Sequence, residues 1–367
     1  IAFVYNFVVK VLVSMSGGVD STVTACLLKE QGHEVIGAHF QVWEDPLAPT
    51  MAHLLPSKCC TEQGKSRIRK VAESYDIPLY EIDISDEFKC NVVDKFLEEY
   101  KAGLTPNPCV RCNREMKHAK LHELADELDC EKIATGHYTR IKNDDKLNRM
   151  MLLEAIDKTK DQSYYLYRLS QQQLERTLFP LGELNKVEVF ELAKKFNIPI
   201  PEHYQESQDI CFFPDADMHD FLDRYIEGSS GDIVDTNGKI LGKHKGLHHY
   251  TEGQRRGLDI GGLKEPLHVV HKDIEANTLI VGSKSESKKS ELIANDLNWV
   301  SFVPGENKEY RYSARIHSLG KLRSGTMKYS GNKLEFIFNE AQIGVSPGQS
   351  VVIYDGEVVV GGGIIDE

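Results

Sequence analysis

What the chain lacks narrows its reading before any motif is considered. No apolar run is as long as a membrane span, which needs about 20 consecutive apolar residues, so no membrane partner is expected. The first fifteen residues are apolar but have no basic segment ahead of them, and they are expected to form a first strand rather than a signal peptide. Ile stands first instead of Met, so residues ahead of it are expected to be missing. Eight cysteines in 367 residues are too few for a disulfide framework. Without a secretion signal they are expected as free thiols in the reducing cytoplasm, suited to reactivity or metal binding. No Lys-Ser or Lys-Thr follows a G-x-x-x-x-G, which excludes a Walker loop. Basic charge is short as well, and a net charge of -12 excludes general affinity for nucleic acid. A nucleic-acid partner therefore requires a local basic patch, for which Arg255, Arg256, Arg315, Lys321 and Arg323 are the candidates.

What is present begins with Val11 to Ser21, VLVSMSGGVDS, an apolar strand that breaks at two glycines and runs into a helix. Gly17 and Gly18 let the backbone take positive φ and approach a ligand closely. The helix from about Val19 points its unpaired N–H groups and positive dipole end at an anion. Ser16 and Ser21 add hydroxyls, and Asp20 is placed to hold a Mg²⁺ that bridges phosphates. An ordinary glycine turn of an α/β protein is the plain alternative. The string Ser16-Gly17-Gly18-Val19-Asp20-Ser21 resembles the SGGxDS loop of ATP pyrophosphatases, and that resemblance implies adenylation of a carbonyl oxygen with release of pyrophosphate.

With 41% hydrophobic residues, a chain of this length buries a sizeable core and divides into two or three domains. Helices are expected over Val19 to Gln31, Thr61 to Tyr75 and Glu87 to Lys101. Strands are expected over Glu34 to Phe40, Leu79 to Ile84 and Lys132 to Thr135. A capped helix is expected from Asn113, with Leu121, Leu124, Ala125 and Leu128 on one face. This alternation predicts a doubly wound parallel sheet with ligands at the carboxyl ends of its strands. Alternation stops between Pro199 and Gln208, where a glycine-rich stretch with short strand signals begins. From about Glu291 only short strands remain, after an exposed Ser/Lys loop at Ser283 to Ser290. They end in a hairpin turning at Asp355-Gly356. The expected domains are a catalytic unit over 1–207, a small central β-rich unit over 208–284 and a C-terminal β-barrel over 285–367.

Cys109 and Cys112 form a CxxC after two prolines, expected in a rigid exposed loop. Half a zinc site, a redox pair and two coincidental thiols all fit that spacing, while a closed Cys₄ site does not, since no second CxxC follows. Cys211, in SQDICFF, falls at the expected domain boundary, where a mobile loop could carry it to the active site.

Blocks over nearly the whole chain resemble the tRNA-specific 2-thiouridylases. They are SGGVDS from Ser16, TPNPCVRCN from Thr105, ATGHY from Ala134, KDQSYYLY from Lys160, SQDICF from Ser207, YTEGQRRGLDIGG from Tyr250 and PGQSVVIYDGEVVVGGGII from Pro347. The resemblance implies an α/β doubly wound fold of the ATP-pyrophosphatase, adenine nucleotide alpha-hydrolase-like kind. It implies that ATP, with Mg²⁺, adenylates the C2 oxygen of the wobble uridine in tRNAs of the glutamate, glutamine and lysine kinds, and that sulfur then replaces it. Cys211 would accept sulfur from a persulfide-bearing donor protein, and Cys112 would release it by forming a disulfide. A helix N-terminus with Arg111 and Arg114 nearby would lower the thiol pKa values this needs. The family commonly has Asp where Cys109 stands, so Cys109, Cys112 and Cys211 holding a [4Fe-4S] cluster is the alternative. Ser14, Met15, Ser16, Gly17, Gly18, Val19, Asp20, Ser21, Phe40 and Gly136 match nucleotide-binding positions. Asn107, Pro108 and Cys109 match the target-base loop, while His137, Lys160, Asp161, Gln162, Arg315, Ile316 and Gln349 match tRNA contacts. Two rivals are an amidotransferase that uses ammonia, which would need no cysteine pair, and a tRNA-binding protein that has lost catalysis.

Overall fold

The computed structural model describes residues 8–49, 62–200, 210–212, 218–261 and 265–366. Its organising element is β1, Lys10–Ser14, in which Val11, Leu12 and Val13 are fully buried. A strand so enclosed belongs in the middle of a parallel sheet covered on both faces. In chain order there follow β2 Glu34–Gln41, β3 Leu79–Asp83, β4 Lys132–Ala134, the antiparallel hairpin β5 Thr139–Asp144 and β6 Arg149–Glu154, and β7 Thr177–Leu178. Five of these strands make one parallel sheet in the order β3-β2-β1-β4-β7. The order reverses between β1 and β4, and the loops leaving their carboxyl ends part there to open a crevice.

Helix Val19–Glu30 follows β1 and stops where Gly32 turns the chain at φ +89°. Helix Glu62–Ser74 agrees with the sequence pattern from its first described residue onward, since Thr61 lies outside the described residues. The segment Ser85 to Lys101 is helical throughout, with a π-helical turn at Lys89–Val93. One boundary is corrected. The helix expected from Asn113 begins at Pro108, with the Asn107 side chain as its cap, and Asn113 is buried inside it. Proline at the first helical position has no N–H to lose and its φ suits the helix, so the two-proline break is a helix start. Its later face is as expected, with Leu121 and Ala125 buried and Leu124 and Leu128 packed beside them under β1 and β4.

Beyond helix Met218–Tyr225 lie β8 Gly231–Asp235, β9 Ile240–His244, β10 His268–Asp273 and β11 Thr278–Gly282, forming a small sheet in the order β10-β11-β8-β9. The sequence change near Pro199 to Gln208 falls mostly outside the described residues. The remaining strands are β12 Lys288–Asn298, β13 Tyr310–Arg315, β14 Arg323–Ser330, β15 Lys333–Ile343, β16 Ser350–Asp355 and β17 Val358–Ile365. Because β12 pairs with both β15 and β17, these six close into a barrel. β12 starts inside the expected Ser/Lys loop, and the last hairpin turns on Gly356-Glu357, one residue later than the Asp-Gly signal. The N-terminal half of β17 pairs with β6, Val358 and Val359 opposite Leu153 and Leu152. A hairpin of the catalytic unit thus extends the barrel's sheet, and one core contains Val110, Leu152, Tyr164 and Tyr167 together with Val300, Val352, Tyr354 and Val359.

Candidate active site

At the end of β1 the loop is shaped by its own short side chains. Gly17 has φ +89°, whereas Gly18 is extended at φ -73°, so positive φ is required at only one of the two glycines. The Ser21 hydroxyl accepts from the Ser16 N–H at 3.1 Å and donates to the Gly18 carbonyl at 3.2 Å, which folds the loop over the first turn of the helix. Gly18 is the N-cap and offers no side chain to that turn, leaving its end suited to an anion. Gly136, just beyond β4, explains its own identity. A Cβ there would lie 2.8 Å from the Ser21 nitrogen and 2.9 Å from the Asp20 carbonyl carbon. Phe40 is half-buried near the end of β2, packed against the core of Trp43 and Phe88, and its neighbour His39 meets the Met15 carbonyl at 2.8 Å.

Asp20 is held by two donors that the sequence patterns did not single out for this task. The Tyr138 hydroxyl donates to its Oδ1 at 2.9 Å, and Lys186 Nζ lies 2.7 Å from the same oxygen. Lys186 is buried at the first position of helix Lys186–Lys195, whose Asn185–Glu188 capping box was visible in sequence. The capping box gives a helix start but not the destination of the lysine. Arg67 likewise reaches across from helix Glu62–Ser74 to donate to the Gly17 carbonyl. The arrangement places a carboxylate and an ammonium together at the open end of a helix. A Mg²⁺ on Asp20 would share that carboxylate with Lys186, and both cations fit a polyphosphate.

The cysteines lie on a helix and not in an exposed loop. Cys109 is half-buried in the first turn, and Cys112 is buried among Phe88, Phe96, Met116 and Phe212. Burial pushes the Cys109 thiol up to about 11, and negative charge on nearby Cys211 pushes in the same direction. Arg111 is engaged too, with its guanidinium 2.5 Å from Glu99. Cys211 is exposed, but the next residue, Phe212, is anchored edge-on to Phe88, Phe96 and Phe221 with ring centres 5.4–5.9 Å apart. That anchor ties the residue after Cys211 into the core that holds Cys112. Cys26, Cys90 and Cys130 are free thiols elsewhere, with burial raising Cys26 to about 12, and Cys59 and Cys60 lie outside the described residues.

The expected tRNA contacts divide. Gln349 donates to the Pro106 carbonyl at 3.5 Å, and the Pro347 carbonyl accepts from Thr105 N–H at 2.8 Å, so the barrel's Pro347–Gln349 turn docks on the segment Thr105-Pro106-Asn107. Ser346 Oγ also donates to the Glu252 carbonyl at 3.2 Å, which brings the 250–254 loop to the same place. Gln162 is paired with the Tyr138 backbone, and Lys160 is half-buried nearby. His137 accepts or donates at Thr135 Oγ1, 2.8 Å away, and burial holds its pKa well below the ordinary value, so the ring is neutral. Arg315 and Asp161 do not lie on an exposed face. Arg315 is buried between Asp161 and Glu154, 2.7 Å from each, and all three side chains are shielded from solvent. Ile316 is buried in the barrel core. A side chain consumed in a desolvated pair is not available to a phosphate, so Arg315 leaves the basic patch. Arg255, Arg256, Lys321 and Arg323 remain exposed.

Comparison with known proteins gives a consistent result. Residues 9–215 match the tRNA methyl transferase HUP domain, 219–283 the tRNA methyl transferase PRC-barrel domain and 289–365 the Aminomethyltransferase beta-barrel domain. A tRNA-specific 2-thiouridylase of Thermoanaerobacter sp. (strain X514) is 44% identical over 97% of this chain and 98% of its own length. The protein of the same name from Halothermothrix orenii is 45% identical over 98% of this chain and 99% of its own. That of Clostridioides difficile is 39% identical over 98% of both.

Proposed function

The chain belongs to the tRNA-specific 2-thiouridylase family, and we propose that it runs the family reaction on the wobble uridine by adenylation followed by sulfur relay. It is an ATP-dependent sulfurtransferase that thiolates tRNA uridine. The observation that carries the finer reading is the pairing of Asp20 with Lys186 at the uncapped helix end, directly under Gly136. The uridine C2 oxygen attacks the α-phosphorus of ATP and pyrophosphate leaves, its charge met by Lys186, the loop N–H groups and the helix dipole. Mg²⁺, held by Asp20, would supply further neutralisation of the phosphates.

Cys211, loaded as a persulfide by a donor protein, attacks C2 with its outer sulfur, and AMP leaves with the C2 oxygen. The Cys112 thiolate then attacks Cys211 Sγ. The sulfur–sulfur bond breaks toward the uridine, which keeps the sulfur as 2-thiouridine, and a Cys112–Cys211 disulfide remains to be reduced. Support for this order comes from Phe212, which ties Cys211 into the core that buries Cys112. The anchoring of Phe212 in the core that holds Cys112 also fits a second reading, in which Cys109, Cys112 and Cys211 hold a [4Fe-4S] cluster. Such a cluster would supply an open iron for sulfide, and bound iron would keep the Cys109 thiol deprotonated despite its burial.

We keep the three units at 1–207, 208–284 and 285–367, place the protein in the cytoplasm, and assign the tRNA to the cleft edged by the target-base loop, the Pro347–Gln349 turn and the exposed Arg255 and Arg256. ATP-to-pyrophosphate exchange tests the first step. Exchange that depends on tRNA supports uridine adenylation, and exchange unaffected by tRNA overturns it. Anaerobically prepared Cys109→Ser separates the two sulfur routes: the relay keeps much of the thiolation, whereas the cluster loses both thiolation and the iron chromophore.

A further inference from the structure

Away from the catalytic cysteines, three side chains with metal-binding chemistry converge at the root of the central unit. Asp223 projects from helix Met218–Tyr225, and His248 and His249 occupy the 3₁₀ turn Leu247–His249 that follows β9. Nε2 of His248 lies 2.9 Å and Nε2 of His249 lies 2.7 Å from the same Asp223 Oδ1. All three ligand atoms are within 4.8 Å of one another, and no other group of three His, Cys, Asp or Glu meets that condition among the described residues. Neighbouring residues in a strand face opposite ways, so it takes the tight turn to bring both rings to one oxygen.

The surroundings are those of a built pocket. The His248 side chain is 4% exposed and that of His249 18%, while Asp223 is 53% exposed, giving the cluster a closed side and an open one. The His219 ring, from the same helix as Asp223, stacks on His249 at 4.7 Å and 3°, fixing its plane. Two histidines and a carboxylate with one open side match the ligand set of three-ligand transition-metal sites. Metal bonds of about 2.0–2.2 Å place tetrahedral ligand atoms about 3.4 Å apart, so each imidazole nitrogen needs to move from Asp223 Oδ1 by only about half an ångström or slightly more.

We propose that Asp223, His248 and His249 bind one divalent ion of the zinc class, completed by water. Each imidazole coordinates through Nε2 and carries its proton on Nδ1. The ion joins helix Met218–Tyr225 to the turn leading into the 250–254 loop. Phe221 of that helix packs with Phe212 and Cys112, so the metal sets how the central unit stands against the cysteines.

The test is a cobalt(II) titration of the metal-free full-length protein under reducing conditions, repeated with zinc and read by metal analysis. Wild type should bind one ion more than His249→Gln or Asp223→Asn, or bind that ion more than about tenfold more tightly. The Cys109→Ser, Cys112→Ser, Cys211→Ser triple variant should retain this ion and show a cobalt spectrum without sulfur-to-metal charge transfer. Equal stoichiometry and affinity in wild type and both single variants overturn the proposal, and circular dichroism of each variant establishes that it is folded. Where the triple variant does not fold, the difference between wild type and His249→Gln decides alone.

Discussion

The pyrophosphate loop and the junction between catalytic unit and barrel both depend on paired opposite charges, yet the two pairs do different work. Asp20 and Lys186 meet at the mouth of a crevice, beside a helix end able to take an anion. Arg315, Asp161 and Glu154 meet in the interior, each side chain buried. The first pair is placed to exchange partners when a polyphosphate arrives. The second is fixed, and its desolvation means that each member depends on the others. Equal distances of 2.7 Å therefore say little about role, and access to solvent decides it.

The largest effect should come from Asp20→Ala, which leaves Lys186 without its carboxylate and removes the proposed Mg²⁺ ligand. Thiolation and pyrophosphate exchange should fall by at least about a hundredfold, with the circular dichroism melting curve little changed. Normal turnover would break the assignment of this pair to chemistry.

Arg315→Met should act in the opposite way, on stability. It removes the guanidinium from two buried carboxylates, of which Glu154 keeps Lys158 and Asp161 keeps Ser163, a loss of up to about 3–5 kcal/mol by analogy with other broken buried pairs. Denaturant unfolding of the barrel is the measurement, and a midpoint equal to wild type would show that the junction is not held by this pair. Gly136→Ala should weaken ATP binding in a fluorescence titration by about tenfold, equivalent to about 1.4 kcal/mol. Its new methyl group would press on the backbone of Asp20 and Ser21.

A smaller effect is expected from Arg255→Ala with Arg256→Ala, since these residues are exposed and make no part of the core. The slope of log tRNA affinity against log salt should become shallower by about one to two, one phosphate contact per residue. An unchanged slope would place the tRNA elsewhere. The smallest effect concerns Glu357, whose carboxyl is held down to about 2 by hydrogen bonds from Lys158 and Arg140 across the junction. A depressed carboxyl stabilises the fold above its ordinary value of 4.5, and that contribution disappears as the pH falls toward 2. Glu357→Gln should therefore reduce the pH dependence of the melting temperature in that window by a small amount, because the group is half exposed.

Sequence by itself determined the features that arise from neighbours along the chain. Val11 to Val13, Gly17, Ser21 and the helix from Val19 are consecutive, so strand, turn and anion-ready helix end follow from local preference and burial pattern. The face of Leu121 and Ala125 was equally legible from its spacing. Only the tertiary structure decided where long charged side chains end. Lys186 reaches Asp20 across 166 residues, Arg315 reaches Asp161 across 154, and the β6–β17 pairing welds two units that composition separates. The physical reason is that a lysine or arginine carries its charge at the end of a flexible stem, and whether that charge faces water, a ligand or a buried carboxylate depends on which distant segment packs against it.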